Sequence, residues 1–312
     1  MTPRTAEGGE ATGLILVTGL PRSGTTWVAK VLAAGTGAVY NHEPDNEKLH
    51  ITALAGKSGL GRFPALAHGT PARAFDRLWR QGFAGPASRT ARVADKVYLA
   101  RVDPEKAVTG RTPQPVRLAG ASLLGPRRRR KAPDLVVKSV HIPLCLEHVA
   151  SLADPAVVVV TRDPRSVLAS WVEMGMPDAD RRLDERRDVR TLYLDARGLP
   201  LPSTNADSFE RKAWQCAFMS WAIRDAVSRN PGWTTVEHES LVAAGVAGFG
   251  SLAVELGRGW RPEGTDLVTG NAASGVGYET KRAPSELRER WRRTLSDSQV
   301  ATAEAVCRSF SP

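Results

Sequence analysis

The sequence predicts an α/β fold, a parallel sheet of about four to five strands flanked by helices, with a tight glycine-bounded loop after the first strand. Three observations predict it. Short apolar runs alternate with helix-compatible segments, the pattern of a parallel sheet covered on both faces. Ala156 to Thr161 holds four consecutive valines, as expected of a strand buried on both sides. Gly19-Leu-Pro-Arg-Ser-Gly24 directly follows an apolar run and precedes helical sequence, which reads as strand, tight loop, helix. The 312 residues, 42% hydrophobic and 24% charged, supply a sizeable core and argue against disorder.

The elements follow in order. Met1 to Gly13 is polar, without a signal-peptide apolar region, and reads as a flexible tail. Residues 14–312 read as a single domain. Leu14 to Thr18 is the first strand and Thr25 to Ala34 the helix after it, broken by Gly35-Thr36-Gly37. Ala38 to Tyr40 is a second short strand, ended by Asn41-His42-Glu43-Pro44. Residues 45–132 alternate helical stretches, such as Ala72 to Arg80, with Gly/Pro breaks. Asp134 to Lys138 is the third strand and Ile142 to Leu152 the next helix. After the valine strand come a helix over Ser166 to Glu173 and a charged segment, Asp178 to Arg190, expected to be a solvated helix or a loop. Phe209 to Ser228 is a long helix with Trp214 and Trp221 on a core stripe, and Trp233 to Val236 is the last strand. In such sheets ligands bind at the carboxyl ends of the strands. Arg22, Glu43, Lys138 and Arg162 fall there.

Composition excludes several classes. No run of about 18 apolar residues exists, so no membrane-spanning helix is expected. Cys145, Cys216 and Cys307 are widely spaced, which fits a reducing, cytoplasmic compartment and neither a disulfide framework nor a zinc site. No metal-ligand cluster is evident. Lys and Arg outnumber Asp and Glu, 43 to 33, for a net charge of +10, which points to anionic partners. The basic run Arg127 to Lys131 invites a nucleic-acid reading, but no nucleic-acid module accompanies it and aromatic residues are only 6%. It is read as a solvated loop. The Ala/Arg/Gly-rich usage fits a bacterial source.

Gly19 to Thr26 nearly fits the P-loop pattern, except that Thr25 stands where the lysine belongs. Successive backbone N–H groups and a helix N-terminus still cradle an anion. Pro21, Arg22, Ser23, Gly24, Thr25, Thr26 and Trp27 form this loop. A second segment, Thr161-Arg-Asp-Pro-Arg-Ser-Val-Leu-Ala-Ser-Trp171, follows the valine strand. The two together resemble the sulfotransferases that use 3′-phosphoadenosine-5′-phosphosulfate (PAPS). The resemblance implies that Pro21 to Trp27 holds the 5′-phosphosulfate. It also implies that Arg162 and Ser170, eight residues apart, hold the 3′-phosphate. The product would then be adenosine 3′,5′-bisphosphate (PAP).

Sulfuryl transfer needs a base for the acceptor hydroxyl and a cation for the leaving oxygen. Lys138 resembles the strand-end lysine of cytosolic and tyrosylprotein sulfotransferases, and Arg22 is expected to assist it. Glu43, 21 residues after Arg22, has a spacing similar to the catalytic glutamate of tyrosylprotein sulfotransferases. His141 lies three residues after Lys138, whereas the cytosolic family's Lys-Thr-His puts the histidine two after. Glu43, His141 and His42 all remain candidates for the base. Glu237 to Leu241 resembles a family segment read as structural. The Gly270 to Gly277 loop with Lys281 and Arg282 is a candidate to close over the nucleotide. The insertions around 45–132 and 174–208 are expected to be helical and to bind the acceptor, a small-molecule, glycan or lipid hydroxyl. Two rivals remain: a small-molecule kinase lacking the Walker lysine, and a non-catalytic polyanion-binding protein.

Overall fold

In a computed structural model, the structure describes residues 13–103, 114–123, 134–176, 182–270 and 291–311. Most of the N-terminal tail, the run Arg127 to Lys131 and the loop after Gly270 with Lys281 and Arg282 lie outside these residues. The first half of the sheet is built from β1 (Leu14–Gly19), β2 (Val39–His42) and β3 (Leu135–Ser139). The second half is β4 (Ala156–Thr161) and β5 (Thr234–Glu237). The order is β2-β3-β1-β4-β5, and every pairing is parallel. All five strands therefore end at one edge. From β1 the chain moves to one side of the sheet, and from β3 it crosses to the other. The loops after β1 and β4 flank that switch point, where such sheets bind ligands.

Alternation along the strands explains the two layers. Leu14, Leu16, Leu135, Val137, Val157 and Val159 belong to one core cluster, while Ile15, Val17, Val136, Val158 and Val160 belong to the other. α1 (Thr25–Thr36) is one of the helices covering the second face. It runs two residues past the expected end, because Gly35 serves as a packing surface. A Cβ there would lie 2.2 Å from the Trp260 ring. Gly37 then caps the helix at φ 70°.

Where described, the 45–132 segment alternates turns and irregular stretches with helices α2 (Ile51–Gly56), α3 (Arg73–Gly82), α4 (Arg89–Tyr98) and α5 (Gln114–Leu123). Ser88 caps α4 by accepting from the Ala91 N–H. α6 (Leu146–Ala150) is shorter than the Ile142 to Leu152 expectation. Pro143 disfavours helical geometry at Ile142 and brings no N–H, so the helix starts only after Cys145. α7 (Pro164–Glu173) has proline at its first position and Asp163 as cap.

Where described, the charged 178–190 segment is only partly solvated. Arg182, Glu185 and Arg187 are exposed, Leu183 and Val189 are buried, and just beyond the segment so is Leu194. Arg186 donates to the carbonyls of Phe63 and Leu60, tying this segment to the turn after α2. α8 (Ser208–Arg229), α9 (His238–Glu255, kinked at Gly245), α10 (Pro262–Gly270), α11 (Trp291–Thr294) and α12 (Asp297–Ser309) complete the chain. Trp214 is buried in the first cluster and Trp221 packs against it. Among the described residues no helix is long and apolar enough to cross a membrane. The three cysteines are free, two of them buried.

Candidate active site

The loop after β1 turns on two left-handed residues, Arg22 (φ 72°) and Gly24 (φ 90°). Gly24 is obligatory: a Cβ there would stand 2.1 Å from the His238 ring. Arg22 and Glu43 (φ 44°) are two of the three non-glycine residues with positive φ among the described residues. Such conformations cost about 1–3 kcal/mol each and persist where the surroundings impose them. Ser23 is buried and its hydroxyl donates to the Leu20 carbonyl. Thr25 is buried and Thr26 half-buried in the first turn of α1. Trp27 packs edge-on against Phe249, with ring centroids 5.0 Å apart, as expected of a residue in the helix–sheet layer.

The two distant motifs meet. Arg22 Nε donates to Ser170 Oγ at 2.9 Å, across 148 residues. Arg162 Nη1 donates to the Arg22 carbonyl at 2.9 Å, and Trp171 Nε1 to the Pro21 carbonyl at 2.9 Å. The hydroxyl two turns into α7 thus folds back over the β1 loop. Arg162 does not pair with Asp163, which Arg165 engages. Its carboxylate neighbour is Glu239, at 3.5 Å. His238 lies beside it, and burial with the nearby Arg162 charge lowers its pKa to about 3. Guanidinium forks, a hydroxyl and a helix N-terminus form a donor set suited to phosphate and sulfate oxygens.

The second half of the site hangs on Glu43. Its N–H donates to the Lys138 carbonyl, continuing the β2–β3 pairing by one residue. Its side chain is nearly buried, and Lys138 Nζ donates to Oε1 in a short ion pair. Oε2 accepts from Asn46 Nδ2 at 2.5 Å. The other two base candidates flank the same oxygen: His42 Nε2 at 3.9 Å and His141 Nε2 at 4.0 Å. Burial pushes the Glu43 carboxyl up, but the charge of Lys138 and its hydrogen bond outweigh it and hold the pKa at about 2. His42 accepts or donates at Nδ1 with Tyr40 Oη, 2.7 Å away, and burial lowers its pKa.

Behind Glu43 lies a buried charged cluster that sequence reasoning missed. Asp45, Glu47 and Lys57 are each 0% exposed and His141 is 1%. Lys57 Nζ donates to Glu47 Oε2 at 2.8 Å and to the Asp45 carbonyl at 3.2 Å. Ser139 Oγ lies 2.8 and 2.9 Å from the two Asp45 oxygens and accepts from the His141 N–H. Arg62 reaches Glu47 Oε1 at 3.3 Å from the partly exposed side. Burial raises the Asp45 pKa; Glu47 is also raised by burial, but the charge of Lys57, with Arg62, outweighs it and holds the group well below the carboxylate range. The available signal was three carboxylates within the five residues Glu43 to Glu47, directly after a strand.

A shallow cleft lies beside β2 among α2, α3 and α4, lined by Asn41, Pro44, His50, Thr52, Leu78 and Gln81 among others. Neither Glu43 nor Lys138 lines it.

No protein-family model matches the chain, and no curated protein does. Solved sulfotransferase structures are similar to it over most of its length. The sulfotransferase domain from the Synechococcus PCC 7002 olefin synthase shares 13% identity over 98% of both chains, with a TM-score of 0.43. Retinol dehydratase in a complex with retinol and PAP shares 15% over 97% of this chain and 82% of that one, with a TM-score of 0.43. Sulfotransferase STF1 from Mycobacterium tuberculosis H37Rv shares 16% over 90% and 77%, with a TM-score of 0.40.

Proposed function

We propose that this chain transfers a sulfuryl group from PAPS to a hydroxyl group of an acceptor, a small molecule, glycan or lipid. The observation that carries the reading is the junction of two motifs 140 residues apart, Arg162 on the Arg22 carbonyl and Arg22 on Ser170. A strand–turn–helix corner needs no such lacing, whereas a nucleotide with phosphates at both its 3′ and 5′ positions needs donors from both. PAPS supplies an activated sulfuryl group whose bridging oxygen departs with PAP.

The residues divide the work. The Pro21 to Trp27 loop and Arg22 hold the phosphosulfate; Arg162 and Ser170 hold the 3′-phosphate. Glu43 takes the proton of the acceptor hydroxyl as its oxygen bonds to sulfur. Lys138, with Arg22, neutralises the oxygen released as the sulfur–oxygen bridge breaks. With Lys138 bound to it, Glu43 is too acidic to be an effective base. When Lys138 turns to the donor's bridging oxygen, that pull weakens and the proton affinity of Glu43 rises. The ion pair therefore keeps both groups idle until the donor is bound. The insertions around 45–132 and 174–208 carry acceptor recognition. Thr25 in the Walker lysine position weighs against a kinase.

The test is a PAPS-dependent assay against a panel of hydroxylated acceptors, with calorimetric PAP binding measured without Mg²⁺. Sulfated product and PAP binding are expected. ATP turnover without PAP affinity would establish the kinase instead.

A further inference from the structure

Lys57 is a fully buried lysine at the end of α2, in a segment that no motif marks. An ammonium has three N–H donors and no acceptor, and each needs a partner when water is excluded. Two are taken by Glu47 Oε2 and the Asp45 carbonyl. The third faces His141 Nδ1 at 3.4 Å. A proton on Nδ1 could reach only Glu47 Oε2, 3.5 Å away and already holding Lys57; two N–H groups would then confront each other and one lysine donor would be stranded. Nδ1 is therefore the acceptor, and the proton of the neutral ring sits on Nε2. That nitrogen is the one facing Glu43 Oε2 at 4.0 Å, too far for a hydrogen bond but close enough for an oriented dipole to act. The ring is held edge-on by Phe63, and the His141 N–H is held by Ser139 Oγ.

We propose that Lys57 is a positioning residue that locks His141 as its Nε2–H tautomer, making the imidazole a donor aimed at Glu43 and leaving the carboxylate as the base. The catalytic part rests on the sulfotransferase reading; the tautomer does not. It follows that the contest between Glu43 and His141 is decided by a residue in the helical insertion. His141 cannot accept a proton through a nitrogen that already carries one, and its free lone pair points away from the reaction toward an ammonium.

The experiment reads the imidazole nitrogens of the full chain by ¹⁵N NMR, with His141 assigned by its loss in His141→Gln and with neither donor nor acceptor present. Wild type should show protonated Nε2 and bare Nδ1, and Lys57→Met should shift the proton to Nδ1, toward Glu47. A wild-type ring protonated on Nδ1, or the same tautomer in Lys57→Met, overturns the proposal. If Lys57→Met does not fold, the double variant Lys57→Met/Glu47→Gln removes both buried charges and must show the same loss of the Nε2–H preference. In the sulfuryl-transfer assay Lys57→Met should lower kcat about ten- to a hundredfold with the donor KM unchanged. His141→Gln should keep the acidic limb of the pH profile, where a general base becomes protonated. Loss of that limb would assign the base to His141. A chain with no transferase activity but the expected tautomers would refute the functional reading and leave the Lys57–His141 lock standing.

Discussion

The donor cradle and the Glu43 pocket solve opposite problems with the same parts. In the cradle, arginines and hydroxyls are part-buried and satisfied by carbonyls and one another, so an anion can replace those contacts at modest cost. In the pocket, Lys57, Glu47, Asp45 and His141 are shut away from water and bound into a fixed set of partners. Burying ions is expensive, and a pair recovers that cost only while every member is present. On the proposed reading the cradle exchanges partners when the donor binds, whereas the Lys57 cluster behind Glu43 keeps them. Substitutions in the first should be read in donor binding; those in the second, in turnover and stability.

The largest separation should come from Glu43→Gln. It keeps the shape and the Asn46 contact but cannot take a proton. Turnover should fall about 10²- to 10⁴-fold, with PAP affinity within about threefold of wild type, since no phosphate contact rests on Glu43 in this reading. Near-normal turnover in Glu43→Gln together with its abolition in His141→Ala would transfer the role to the histidine. Next is Glu47→Gln, which leaves Lys57 buried without its counter-ion. Breaking such a pair costs about 3–5 kcal/mol, to be measured by denaturant unfolding. A loss below about 1 kcal/mol would mean that water reaches the cluster. Arg162→Lys belongs to the cradle. It replaces a planar fork by a point charge, so PAP affinity should fall about ten- to a hundredfold while stability changes little. An equal loss of stability would make Arg162 a structural strut between β4 and Glu239.

The same contrast explains what was legible. Gly19 to Trp27 and Thr161 to Trp171 are contiguous, so the spacing of glycines, hydroxyls and arginines shows in one dimension. The strands are equally visible, because four consecutive valines or Leu-Ile-Leu-Val permit little else. Glu43 and Lys138 could be picked out as strand-end residues. Their partners could not, because a lone lysine at a Gly-Lys-Ser-Gly helix end reads as solvated, and only the folding of α2 against the turn after β2 shuts Lys57 away. The over-long helix at Ile142 has a local cause, Pro143. The buried leucines and valine of 183–194 were masked by the arginines around them, which line the inter-segment contact as well as the surface.

The smallest effect concerns pH, and it sharpens the comparison because the two regions should fail at different acidities. His238 packs against Gly24, and burial, with Arg162 beside it, lowers its pKa to about 3. The unfolded chain, with a histidine near its ordinary value of about 6.5, then binds the proton more tightly than the folded one. Its contribution is complete above about pH 6.5 and is lost as pH falls toward 3, at most about 1.4 kcal/mol per pH unit, or about 2 kcal/mol by pH 5. Glu43 is depressed in the carboxylate sense, so its contribution is complete above about pH 4.5 and is lost only as pH falls toward 2. Unfolding free energy measured from pH 7 to 5 should decline in wild type and decline less in His238→Gln, whereas Glu43→Gln should leave that window unchanged. The His238 contact thus weakens before the Glu43–Lys138 pair does, and His42, lowered by burial, adds to the decline over the same window. A His238→Gln curve parallel to wild type from pH 7 to 5 would show that the imidazole finds water in the folded protein and that the Gly24 contact is open.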